Sequence, residues 1–380
     1  MNPIDVRGGR VAIVGAGIVG CTLAYRLAEA GAKVTLVARD APGSVTSANS
    51  FAVLSGSGAR DAADALPMWK RLMAEARELA DEVGGEWLHV DGSLWWSEEG
   101  PIAHETNGTL AEMRAIGYPV EVLTPAEARE LEPELRIPAS VGEVHLMPEE
   151  AWMDVPAACA ALVGAADRRF RLRERRGDVR SILSSASRVD GIRLADGTSL
   201  SADVVINAAG PWAAELAELA GSSLAVGHAP GAMVFTAPTA VRLRHMIWSP
   251  VSVRNDGDGR LLIHRAAYDR ELADGVWPDL MHPFARGVMA DTERLLPGLA
   301  GTALEGVRYG VRPMPLDAQP IIGADPRADG LYHVVMHGAV RRAAVVARYA
   351  TRELCGADVP ELRPYRPDRP SLHAAAAAAT

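Results

Sequence analysis

The residues best suited to do chemistry begin at Gly15-Ala16-Gly17-Ile18-Val19-Gly20. A Gly-x-Gly-x-x-Gly run between a strand and a helix suits a dinucleotide pyrophosphate. Gly15 makes the tight turn, Gly17 lets phosphates approach the backbone, and Gly20 packs helix against strand. Ile18 and Val19 then open a helix whose unpaired N–H groups favour anions. The fingerprint ends with an acid at the close of the second strand, to hold the adenosine ribose. Counting from Gly15, that place is Ala38, followed by Arg39 and Asp40. A missing charged hydrogen bond is worth about 1.5–3 kcal/mol. Either Asp40 substitutes from a shifted register, or the ribose is held less firmly. A nicotinamide enzyme satisfies this first motif equally well.

The elements that must position the turn are legible around it. Val11–Val14 is a short apolar run of the kind that forms a buried strand. Ile18–Ala30 carries helix formers up to a stop at Gly31, and Val34–Val37 supplies a second strand. Strand, turn, helix and strand within about 30 residues make a βαβ unit, which implies a parallel sheet. Val204–Asn207 and Leu331–Met336 read as further buried strands, and Arg341–Leu354 as a helix after the last.

The middle of the chain has another texture. Met68–Val83 reads as an amphipathic helix, Gly92–Trp96 as a strand, and Asp154 as an N-cap with Pro156 in the first turn. Met246–Val253 and Arg260–His264 flank Asn255-Asp256-Gly257-Asp258-Gly259, a hairpin signal. The fold class is therefore α/β: a Rossmann-type cofactor-binding domain interleaved with an antiparallel α+β substrate domain. The first takes residues 1–85, 150–222 and 305–365, and the second 86–149 and 223–304. The first ten residues read as frayed, and residues 366–380, ending in alanines, as a disordered tail.

Composition bounds the function. The chain has 380 residues, 48% hydrophobic and 23% charged, which excludes global disorder and a small disulfide scaffold. A net charge of −9 argues against nucleic acid as a partner. The apolar run Val11–Ala24 holds three glycines and is too short for a membrane span. Three well-separated cysteines, Cys21, Cys159 and Cys355, show no metal spacing and point to a cytoplasmic location. Lys33 and Lys70 are the only lysines among 39 basic residues; the rest are arginines.

Val204-Val205-Ile206-Asn207-Ala208-Ala209-Gly210-Pro211-Trp212 separates the cofactor classes. Here the chain resembles the D-amino-acid oxidase-like (DAO) flavoproteins, the family of glycine and sarcosine oxidases. In that family such a strand end brings small residues beside FAD. Thr46-Ser47-Ala48-Asn49-Ser50-Phe51 resembles the loop around the flavin, and Val179 matches a residue whose backbone meets the adenine. Met336-His337-Gly338-Ala339-Val340 resembles the loop whose N–H groups face the flavin pyrimidine, and Gly310-Val311-Arg312-Pro313 through Pro320-Ile321-Ile322-Gly323 a family signature. The resemblance implies noncovalent FAD, held by Gly15, Gly17, Ile18, Val19, Gly20, Arg39, Asp40, Thr46, Ser47, Asn49, Val179, Ala208, Gly210, Trp212, His337, Gly338, Ala339 and Val340. It implies Arg312 as the clamp for a substrate carboxylate, and oxidation of an amino acid or amine C–N bond by hydride transfer to flavin. The plainer reading of Arg312 is a pair with Asp317 inside a turn.

The chain departs from the family pattern in three places: Ala38, Arg341-Arg342 where small and apolar residues are common, and no lysine placed to activate oxygen. At most one of the two arginines can face the cofactor, since successive helical residues point about 100° apart. These departures keep open an alternative, a binding or subunit protein that retains the fold with little turnover. His228, His245, His264 and His282 read as hydrogen-bonded structural residues. Trp95, Trp96 and Trp248 read as packing, with Trp248 also placed to line a pocket.

Overall fold

The computed structural model describes residues 5–56, 62–96, 110–115, 117–185, 188–249, 251–265, 269, 272 and 279–379. Its βαβ unit is the one expected: β1 (Arg10–Val14), α1 (Ile18–Glu29) and β2 (Lys33–Ala38), with β1 and β2 parallel. Gly31 follows α1 at φ +94°, the left-handed stop that lets the chain reverse into β2. Beyond β1 lie Val204–Asn207 and then Leu331–Val335, both parallel, and an antiparallel edge strand Ile321–Ala324. Arg173–Arg176 closes the other edge beside β2.

Helix α1 packs between Val155–Phe170 and Ala339–Leu354 on one face of this sheet. Ala158, Ala165, Ala166, Ala347 and Ala350 are almost fully buried there, and their small side chains let the helices approach closely. Asp154 caps its helix as predicted, its carboxylate accepting from Ala157 N at 3.0 Å.

The mainly antiparallel material forms an eight-stranded sheet in the order Leu304–Pro315, Val226–Thr236, Leu261–His264, Val251–Asn255, Met246–Ser249, Ser93–Trp95, Val144–Met147, Glu121–Leu123, with Met246–Ser249 and Ser93–Trp95 the parallel pair. The Asn255–Gly259 hairpin is present, with Asn255 opposite Leu261. Met246–Val253, read as one strand, is itself a hairpin, in which Ile247 faces Val253.

Three boundaries change. The sequence assigns residues 305–315 to the cofactor domain, but Leu304–Pro315 pairs with Val226–Thr236 along its length and belongs to the eight-stranded sheet. Residues 5–10 are not frayed: Val6 is buried and its N–H donates to Leu354 O at 2.9 Å. The expected disordered tail at 366–380 contains a helix, Pro370–Ala379. Alanine alone does not hold so short a helix. It is anchored instead by buried Leu372, packed with Ile321 and Val335, and by Arg369, whose Nε and Nη2 reach Asp317 at 2.7 and 2.6 Å. Replacing Arg369 by Ala strands a largely buried carboxylate, so a loss of about 3 kcal/mol is expected in chemical denaturation. A change within about 0.5 kcal/mol, the usual range of surface substitutions, would return the tail to the status of an appendage.

Candidate active site

Strand β1 ends at the mouth of a cavity of about 860 Å³. That size lies near the top of the usual range for small-molecule sites, about 300–1,000 Å³. At its floor Gly15 has φ +111°, and a Cβ there would stand 2.2 Å from Ala208 O. A Cβ on Gly20 would lie 1.8 Å from Gly15 O. The turn is thus wedged against the end of Val204–Asn207, with Ala208 N donating to Val14 O at 2.9 Å. No side chain caps α1 at Gly17. Ser47 Oγ accepts from Ile18 N at 3.1 Å, which leaves the hydroxyl proton free to donate into the cavity.

Asn207 explains its own place in the motif. Its Nδ2 donates to Ala213 O at 2.8 Å and to His333 Nδ1 at 3.1 Å. His333 is therefore the neutral tautomer with its proton on Nε2, donating to Asp325 at 2.8 Å. Burial opposes the Asp325 charge, yet His333, Ser222 and two backbone amides hold its pKa down to about 2. This buried chain fixes the Ala208–Trp212 turn from behind.

All the residues expected to bind cofactor line the cavity except Gly20, which serves the packing of the turn alone. Toward one end, Arg39 lies over the Trp212 ring at 4.5 Å, and Asp40 sits at the rim. Sequence reasoning named only Val179 opposite them, but Gly177, Asp178 and Arg180 line the same wall. Gly177 N donates to Ala38 O at 2.8 Å, a sheet contact with no sequence signature. Asp178 is paired with Arg180 at 2.9 Å, whereas Asp40, two residues after Ala38, and Glu215, on the Trp212 side, line the cavity without an ion pair among the described residues. Along the wall Thr46 Oγ1 donates to Val311 O at 3.1 Å, which ties the 46–51 loop to the substrate sheet.

Arg312 faces the cavity from that sheet. The plainer alternative, a pair with Asp317, does not form, since Asp317 is held by Arg369. Arg312 Nη1 instead meets Asp269 at 2.9 Å, while Nε and Nη2 donate to Ala229 O and Pro230 O at 3.2 and 2.7 Å. Its side chain remains 35% exposed. A guanidinium has five N–H donors, so one remains on each Nη nitrogen. Asp269 also takes His264 Nε2, at 3.2 Å from each oxygen. Burial raises the Asp269 pKa, but His264 and Arg312 outweigh it and lower the net value.

His264 therefore belongs to the cavity and not to the structural histidines. The other three fit that reading: His228 bonds Pro211 O, His245 bonds Glu132, and His282 caps a helix. Tyr309, beside Arg312 in sequence, is buried in the second core, and Trp248 stands behind Phe51 without lining the cavity. Nothing in the sequence marked Asp269. Among the described residues no group of His, Cys, Asp or Glu is arranged to hold a metal, and no helix is long and apolar enough to cross a membrane.

Across the same cavity from Arg312, Gly338 starts the Ala339–Leu354 helix at φ +66° with no side-chain cap. A Cβ there would meet Arg342 Nη1 at 2.7 Å and Arg341 Nε at 3.1 Å, so glycine leaves the space both arginines fold into. Arg342 Nη1 returns to His337 O at 2.9 Å, and Arg341 lines the cavity. One of the two faces inward, as the 100° step requires. His337 opens onto the cavity, whose protein walls still desolvate its ring. That, and the nearby charges of Arg312, Arg341 and Arg342, push its pKa down to about 4.

Residues 10–352 match the family model described as FAD dependent oxidoreductase (DAO). The chain belongs to the DAO family of FAD-dependent oxidoreductases. Its cofactor is FAD, which sets aside a nicotinamide dehydrogenase. A glycine oxidase of Geobacillus kaustophilus is 27% identical over 343 residues, 86% of this chain and 87% of that protein. The crystal structure of that organism's glycine oxidase overlays with a TM-score of 0.83 at 22% identity, covering 95% and 99% of the two chains. The L-proline dehydrogenase of P. horikoshii overlays at 0.81 with 19% identity, covering 95% and 97%. These overlays show the DAO fold: a Rossmann unit and a substrate domain. The lining fits FAD, with no side chain at Gly15 and Gly17 to block the backbone, a helix start whose one side-chain contact is the Ser47 hydroxyl, and a cavity continuing to a guanidinium.

The depressed His337 pKa gives a signed expectation. A folded pKa below the ordinary histidine value means the unfolded chain binds the proton first. The His337 contribution to stability is then present above about pH 6.5 and is lost as pH falls toward 4. In an NMR titration His337 should stay neutral from pH 8 to 5; a midpoint near 6.5 would contradict the field described.

Proposed function

We propose that this DAO-family protein oxidises the C–N bond of a small amino acid or amine. In this reading, Gly17 and Val19 receive the pyrophosphate through backbone N–H groups and Ser47 through its hydroxyl, while Gly15 and Ile18, whose N–H groups are held by Val37 O and Ser47 Oγ, shape the turn beneath it. Arg39, Asp40 and Val179 take the adenosine end. Thr46, Asn49, Ala208, Gly210 and Trp212 form the wall between, and His337, Gly338, Ala339 and Val340 bound the far end. FAD, when bound, supplies the hydride acceptor. The protein's task is to exclude water and to hold the substrate C–H bond toward that acceptor.

Arg312 carries the substrate reading. Its two remaining Nη donors match a carboxylate, whose paired oxygens take parallel N–H bonds. The partner carbonyls and Asp269 fix the guanidinium plane, so little side-chain entropy remains to be lost on binding. The amine must arrive without its proton, because its lone pair becomes the second C–N bond as hydride leaves carbon. Water then hydrolyses the imine to a carbonyl compound and the released amine or ammonia. Neutral His337 adds no positive charge against that amine.

The single observation behind this reading is one continuous cavity running from the dinucleotide turn to Arg312. Its test is anaerobic mixing of the FAD-loaded protein with amino acids and cyclic amines. At least one should bleach the flavin, whereas a full panel that leaves it oxidised would overturn the proposal. Arg312→Ala should raise the KM for that substrate about ten- to a hundredfold with FAD still bound; an unchanged KM would remove Arg312 from the site. Asp40→Asn should weaken FAD about tenfold if Asp40 serves the ribose, and equal affinity would leave Ala38 uncompensated.

A further inference from the structure

At the Arg312 end of the cavity, Arg341 is the cation with the fewest commitments, while Arg39 at the other end stacks on Trp212. Arg312 spends three donors on Asp269 and two carbonyls. Arg342 turns back to His337 O and does not line the cavity. Arg341 does line it, and among the described residues it forms no ion pair and one long hydrogen bond, Nη1 to Ser55 O at 3.3 Å. Its place in the first turn of a helix adds no counter-charge, since that end of the dipole is positive.

The carboxylate behind it is occupied. Glu150 is 1% exposed and accepts from the hydroxyls of Ser55, Ser93 and Tyr118, at 2.6 Å from Ser93 and 2.9 Å from Tyr118. It makes no hydrogen bond or ion pair with Arg341 and is linked to it by bonds through Ser55, whose Oγ bonds the carboxylate and whose carbonyl bonds the guanidinium, so only its charge acts directly. Burial lowers the pKa of Arg341, and the nearby Tyr118 and Glu150 offset it only in part. His337, between the two sides, feels both Arg312 and Arg341, so their fields overlap at the same end of the cavity.

We propose that Arg341 is a specificity-determining residue that takes a second anionic group of the substrate, making the preferred class an amine bearing two carboxylates. Arg312 holds one carboxylate and Arg341 the other, with the C–N bond between them. This rests on the amine-oxidising reading above for the identity of the site, but the anion pairing can be measured without turnover.

The measurement is isothermal titration of the FAD-loaded protein with amine-free acids. Malonate and succinate are compared with propionate and butyrate, in which a methyl group replaces the second carboxylate. Wild type should bind one of the dicarboxylates about tenfold or more tighter than its methyl counterpart, the worth of a charge-assisted bond. Arg341→Met should abolish that preference and leave monocarboxylate affinity in place, Arg341→Lys should keep part of it, and Arg342→Met should retain it. No preference in wild type, or one that survives Arg341→Met, overturns the assignment. The wild-type comparison decides even if the Met variant loads FAD poorly. Failure of amines to bleach the flavin would instead strike the proposed reaction and leave this result standing.

Discussion

The site depends on one close approach, the backbone of Gly15 against the backbone of Ala208. A Cβ at Gly15 would stand 2.2 Å from the Ala208 carbonyl oxygen, well inside any van der Waals contact. That contact locks the β1–α1 turn to the end of the neighbouring parallel strand, so the two small-residue motifs, almost two hundred residues apart in sequence, become one surface. Gly20 presses the helix start onto the same turn. Asn207, His333, Asp325 and Ser222 hold the opposing strand end from behind with donors and acceptors matched in series. Such a buried polar chain is stabilising only when every member is satisfied, which ties the turn geometry to the whole network.

Charge organises the other end. The chain uses arginine almost to the exclusion of lysine, and around the cavity each arginine has a distinct assignment. Arg39 stacks on Trp212, Arg312 is fixed by Asp269 and two carbonyls, Arg342 closes on the His337 carbonyl, and Arg341 is turned inward. A planar, permanently charged fork suits this division, because its direction is set by a few bonds while its remaining donors point elsewhere. Burial, reinforced by the positive field that results, keeps His337 neutral.

Much of this was legible in the residues. The βαβ unit, the Asn207–Trp212 strand end and the hairpin at Asn255–Gly259 rest on local patterns, and the structure has all three. The cavity lining followed from the same motifs, with Gly20 the one residue that serves packing alone. What stayed hidden depends on contacts between distant segments. Asp269 meets Arg312 and His264 only because the eight-stranded sheet brings them together, so Asp317 was the nearer guess. Gly177 and Asp178 join the wall through an edge-strand pairing with β2. The tail reads as unstructured from its alanines, while its anchors, Leu372 and Arg369, act on residues some fifty positions earlier. The 305–315 boundary failed for the same reason, since register with Val226–Thr236 is a tertiary fact.

The central claim is one of placement: an extended dinucleotide whose phosphates lie over the start of α1 and whose redox ring ends beside Arg312. A crystal structure of the protein grown with FAD tests it directly. The account predicts pyrophosphate density within hydrogen-bonding distance of Ser47 and the Gly17 and Val19 amides, with the isoalloxazine against the Gly338–Val340 turn and one face open to Arg312 and Arg341. Density with the adenine at Arg312, or a flavin bound outside this cavity, would contradict it.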